Sequence, residues 1–142
     1  MEKAEKISVS DLSVGDWVCA EQLCGVHSKP RLTPPMKVVG LGESWVNLEI
    51  DPEQGAPFEF EPSEIRGVPI TAEVLEKSGF THDKWSKKIW RYEDEESEVV
   101  YYIENGVLEI TADDCKINLV CTSVAELQHA LRLAKVEKEI VL

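Results

Sequence analysis

At 142 residues, 43% of them hydrophobic, the chain is long enough to bury a core as one domain or two small lobes, and too apolar for wholesale disorder. A formal net charge of −12, from 27 acidic against 15 basic residues, speaks against binding nucleic acid directly through its phosphates and suits a basic protein partner. The longest apolar runs fall short of a membrane span, and the start MEKAEKISVSD has no apolar signal core, so a cytoplasmic protein without membrane contact is expected.

In chain order, residues 1–6 read as a solvated start, and DLSVGDWVCA (11–20) as a turn leading into an apolar strand from Trp17 to Leu23. Gly25 to Pro35 holds three of the seven prolines and reads as a loop. Met36–Leu41 and Ser44–Ile50 flank Gly42-Glu43, which has the chemistry of a two-residue hairpin turn. Asp51 to Pro57 is turn-rich. Phe58–Glu61 and Ile65–Val68 supply one or two short strands around Pro62-Ser63-Glu64. Short strands at this spacing predict a small curled sheet, an SH3-like barrel, over residues 1–68.

From residue 69 the pattern changes. Thr71 is a good N-cap for a helix over Ala72–Ser78, and Gly79 with Phe80 has the chemistry of its C-terminal stop. After a polar link, Thr81 to Lys84, come four β-like runs: Lys87–Tyr92, Glu98–Ile103, Val107–Thr111 and Cys115–Cys121. Asn105-Gly106 marks the central hairpin. Ser123 and Glu126 form a capping box that opens a last helix with Val124, Leu127, Leu131 and Ala134 on one face. The fold class is therefore α+β: the β-barrel-like lobe, then over 69–142 a helix, a four-stranded antiparallel meander and a C-terminal helix, packed as one compact unit. The expected core includes Trp17, Val38, Val46, Leu48, Leu75, Phe80, Ile103, Leu108, Ile110, Ile117, Leu119, Leu127 and Leu131.

Three stretches, DLSVGDWV, PITAEVLEKSGF and VAELQHAL, occur in an order and spacing that resembles a family of short proteins from gut Bacteroidetes and their phages and mobile elements. Val124, Glu126, Leu127 and Gln128 match its C-terminal helix motif, while Ala125 replaces its usual histidine and Ala130 a larger residue. The family carries no assigned activity. The resemblance thus implies the architecture and a mobile-element context, and no catalytic residue.

Four cysteines without an export signal are expected as reduced thiols. Cys19, Cys24 and His27 offer zinc-like spacing, and a metal-dependent enzyme built on them is one alternative. The close two-residue cysteine knuckle is missing, however, so no metal and no cofactor are expected. His27, His82 and His129 lie in no nucleophile motif, and there is no phosphate loop, so no catalytic residue is assigned and the balance leans away from an enzyme. The strongest charge feature is Glu93-Asp94-Glu95-Glu96-Ser97-Glu98, in a segment that also carries Trp85, Trp90, Tyr92, Tyr101 and Tyr102. Its bland reading is a solvated turn. Its functional reading is a docking patch for a basic protein, formed by Trp90, Tyr92, Glu93, Asp94, Glu95, Glu96 and Tyr102, with mimicry of nucleic-acid charge as an alternative.

Overall fold

The computed structural model describes residues 11–22, 31–49, 57–112, 114–136 and 138–142. The fold is α+β, and the chain divides into two compact units, residues 1–69 and 70–142.

The first unit is built of β1 (Trp17–Gln22), β2 (Arg31–Leu32), β3 (Met36–Leu41), β4 (Val46–Glu49), β5 (Phe58–Phe60) and β6 (Ile65–Gly67). Its lead-in turns on Asp16, fully buried, whose carboxylate accepts the Ser13 backbone N–H at 2.7 Å. Gly15 N–H to Val38 carbonyl (2.8 Å) and Val38 N–H to Asp16 carbonyl (2.9 Å) pin this turn to β3.

Along one edge β1 meets β3 at Trp17 and Val18 and β2 at Glu21. Between β2 and β3 lies Thr33-Pro34-Pro35, whose prolines have no N–H to give a ladder. Thr33 bridges the gap: its backbone N–H donates to the Ala20 carbonyl, and its hydroxyl accepts the Ala20 N–H at 2.9 Å. On the other edge β6 pairs with β1, so the sheet curls back on itself, while β5 pairs only with β4 among the described residues. A single turn of 3-10 helix, Pro62–Glu64, links β5 to β6. Arg66 braces it, donating to the Ser63 carbonyl and pairing with Glu21 at 2.8 Å.

Val18, Ala20, Met36, Val38, Val46, Leu48 and Ile65 are buried in this unit. The expected core position Trp17 is corrected to half-buried: its neighbour Val18 takes the inward place, and alternation puts the indole on the opposite face, under the Lys37 ammonium at 5.1 Å. The link between β3 and β4 is also longer than the two residues expected. Gly42 N–H bonds the Trp45 carbonyl (2.9 Å), and the Trp45 indole lies so close over Gly42 that a Cβ there would collide with the ring.

The second unit comprises α1 (Ala72–Lys77), β7 (Thr81–Asp83), β8 (Ser86–Glu93), β9 (Ser97–Tyr102), β10 (Val107–Ala112), β11 (Cys115–Val120) and α2 (Val124–Leu133). The strands lie in the order β11-β10-β9-β8-β7, each antiparallel to the next. The sheet thus has five strands, because Thr81–Asp83, expected as a link, pairs with β8. Gly106 takes the positive φ (+71°) that the turn before β10 requires.

Both helices start on a hydroxyl cap. Thr71 accepts Val74 N–H and Ser123 accepts Glu126 N–H, each at 3.2 Å. Both also end alike: Phe80 N–H reaches the Leu75 carbonyl and Val136 N–H the Leu131 carbonyl, with Gly79 (φ +89°) and Lys135 (φ +59°) as the left-handed residues between. Ser78, buried, then clasps the C-terminal segment, accepting Val141 N–H at 2.8 Å.

Register defines the two faces of this sheet. Trp90, Tyr101 and Leu108 form one cross-strand row and Tyr92, Val99 and Ile110 another on the same face; all but the half-buried Tyr92 are buried. With Leu75, Phe80, Val124, Leu127, Leu131 and Ile140, they supply the core of the unit. The same rows continue to Leu119 and Ile117 on β11, but there Leu119 is half-buried and Ile117 is 41% exposed. Both were expected in the core; β11 is an edge strand, and alternation alone does not distinguish an edge from a centre. Ile103, in the turn after β9, is likewise half-buried.

Candidate functional site

The acidic run forms the turn between β8 and β9, and one of its carboxylates holds it together. Asp94 Oδ1 accepts the Glu96 N–H (2.9 Å), the Ser97 N–H (2.7 Å) and the Ser97 hydroxyl (2.9 Å), while its own N–H donates to the Ser97 carbonyl (3.0 Å). Such a side chain replaces the backbone partners that a tight turn lacks. The Glu96 N–H, first, and the Ser97 hydroxyl hold the Asp94 carboxyl below its ordinary value of 3.8, since both donate to the charged form. Asp94 therefore contributes stability above the unfolded value near 3.8, and that contribution is lost as pH falls through its lowered folded value. A side-chain NMR titration should find its midpoint below 3.8, and Ser97→Ala should move it back up; an unshifted midpoint in the wild-type chain would contradict this geometry.

The remaining acids of the run differ in role. Glu98 pairs with Arg91 at 3.1 Å and lies directly across the ladder from Glu93. Glu93, Glu95 and Glu96 are exposed and have no ion pair within 4 Å among the described residues. Three free carboxylates thus stand on a turn fixed by the fourth.

The aromatic residues expected beside them are dispersed. Tyr92 adjoins the turn but is half-buried, its ring 5.8 Å from Phe80 and under the Lys138 ammonium at 4.8 Å. Trp90 is buried at 4% exposure, with its indole N–H donated to the Lys87 carbonyl at 3.1 Å. Tyr102 is half-buried on the other face, opposite Ile89. It is four residues along β8 from Glu93, about 13 Å at strand rise, and bonds Glu109 at 3.3 Å. The structure therefore brings Glu93, Asp94, Glu95, Glu96 and Tyr92 together, and sets Trp90 and Tyr102 apart from them. The buried tyrosine of the Tyr101-Tyr102 pair is Tyr101, whose hydroxyl donates to the Cys121 carbonyl at 2.7 Å.

One exposed feature was not singled out as a site by sequence reasoning. Trp85, 88% exposed, stands at the tip of the β7–β8 hairpin, with Lys84, Lys87 and Lys88 exposed around it. Its signal was the string KWSKK, a tryptophan set among lysines at a turn.

Cys19, Cys115 and Cys121 carry free thiols. Burial, first, pushes the Cys19 thiol up, and its Sγ donates to the Arg66 and Gly67 carbonyls. Burial and then the charge of Glu126 push Cys121 up to about 12. Neither is an activated nucleophile. Cys115 is exposed. The zinc-like set cannot be assembled here, because Cys24 and His27 lie outside the described residues. Among the described residues no group of three His, Cys, Asp or Glu side chains is placed to hold a metal, and no helix is long and apolar enough to cross a membrane.

No protein-family model matches the chain, and comparison with curated proteins and with solved structures finds no match either.

Proposed function

We propose that this chain is a non-enzymatic protein-interaction module of phage or mobile-element origin, acting in the cytoplasm, that docks a basic protein surface on the β8–β9 turn. The observation that carries the reading is the set of three exposed, unpaired glutamates on an Asp94-centred turn. A preformed turn loses little conformational entropy on docking, and clustered carboxylates steer a cationic partner. The strand order β5-β4-β3-β1-β6, with a turn of 3-10 helix before the returning strand, supports an SH3-like barrel as the first unit. The sequential antiparallel order of β7 to β11 supports a meander as the second.

Calorimetric titration of the protein with a lysine-rich peptide tests the reading. Glu93→Gln, Glu95→Gln and Glu96→Gln combined should weaken binding about tenfold at low salt, from three exposed pairs worth about 0.2–1 kcal/mol each. The difference should shrink at high salt. Equal binding by the variant and wild type at both salts would leave the turn as a solvated connection only.

A further inference from the structure

The hairpin tip at the far end of β8 names a partner for that turn. Lys84 and Trp85 form the two-residue connection between the paired residues Asp83 and Ser86. The Trp85 ring meets the Lys84 ammonium, 5.9 Å from its centroid. Both residues keep negative φ, so the turn does not demand a special backbone residue, and at 88% exposure the indole adds nothing to the core. Trp is the residue type most enriched where interfaces concentrate their binding energy. Around it Lys84 and Lys87 have no carboxylate within 4 Å among the described residues, whereas Lys88 is paired with Glu104 at 3.2 Å. The sheet is thus polarised, with a cationic, aromatic tip at the Ser86 end of β8 and three free glutamates at the Glu93 end.

We infer that the partner of the acidic turn is the Lys84–Lys87 tip of a second copy of this chain, the two copies pairing antiparallel so that each tip meets the other's turn. The inference rests on the acidic turn being a docking site. Charge complementarity selects the occupant: two ammonium groups without a carboxylate partner among the described residues and an indole N–H donor face three unpaired carboxylates, a local match that acts against the repulsion between two copies of net charge −12. Seven strand steps separate Ser86 from Glu93, about 23 Å, so one two-fold relation satisfies both contacts and closes the assembly at two copies.

Sedimentation of the full chain, from low micromolar to several hundred micromolar at low and physiological ionic strength, tests this. Wild type should form a concentration-dependent dimer. The pair Lys84→Glu with Lys87→Glu, and separately Glu93→Lys with Glu95→Lys, should each weaken it about tenfold or more. An equimolar mixture of the two reversed proteins should restore it, since reversed tip then meets reversed turn and native tip meets native turn. Trp85→Ala should weaken dimerisation with an unchanged circular dichroism spectrum. Should a reversed protein fail that same spectral check, Lys84→Gln with Lys87→Gln serves in its place and should weaken the dimer likewise. A wild-type chain that stays monomeric throughout, or dimerises equally with either end changed, overturns the inference. If that monomer still binds the lysine-rich peptide through Glu93, Glu95 and Glu96, only the identity of the partner falls. If it binds no such peptide, the docking reading falls with it.

Discussion

Trp90→Ala is expected to destabilise the second unit by about 3–5 kcal/mol, while Trp85→Ala, five residues earlier, should stay within about 0.5 kcal/mol of wild type. The contrast follows from burial. Trp90 is 4% exposed, lies in one row with Tyr101 and Leu108, meets the His82 ring edge-on at 5.4 Å and donates its N–H to Lys87. Truncation removes the ring and leaves a cavity together with an unpaired carbonyl. Trp85 touches no core, so the unfolded chain and the fold expose it almost equally. Urea unfolding followed by far-ultraviolet circular dichroism should separate the two variants clearly. Similar losses for both would mean that Trp90 is not a core residue.

Leu48→Ala should cost the first unit about 2–5 kcal/mol, against less than about 1 kcal/mol for Phe58→Ala, although the two residues face each other across β4 and β5. Leu48 is fully buried beside its ladder partner Val38, whereas Phe58 begins a three-residue strand and is 55% exposed. The same unfolding measurement checks it; comparable costs would show that Phe58 is covered in solution.

Local signals carried much of the fold. The hydroxyl caps at Thr71 and Ser123, the stop at Gly79-Phe80 and the turn at Asn105-Gly106 are each a few residues whose chemistry acts on their own backbone, so they read directly from the chain. What depends on partners distant in sequence did not. Thr81-His82-Asp83 shows no apolar alternation and becomes a strand only because β8 supplies its hydrogen-bond partners. Arg31-Leu32 joins the sheet by pairing with the end of β1. The second helix stop places Lys135 where glycine is the usual signal, so its geometry was hidden behind an ordinary residue. In β1 an apolar run, Trp17 to Ala20, gave no phase, and the larger side chain was placed inward where Val18 belongs.

The candidate site divides in the same way. The acidic run and its position in a turn were legible, since like charges avoid burial. The aromatic part was not, because membership of one segment does not reveal which face a side chain takes or whether the neighbouring strands cover it. Trp90 and Tyr92 share a face, Tyr102 takes the other, and the most exposed tryptophan of the described residues is Trp85 at the opposite end of the strand.

The most direct measurement is a backbone amide NMR spectrum of the full chain recorded during titration with the lysine-rich peptide. Docking at the β8–β9 turn should move the amides of Glu93 to Ser97 in a saturable, salt-sensitive manner and leave the Trp90 indole N–H where it was. Shifts absent from Glu93 to Ser97, or concentrated elsewhere in the molecule, would contradict a docking site at the acidic turn.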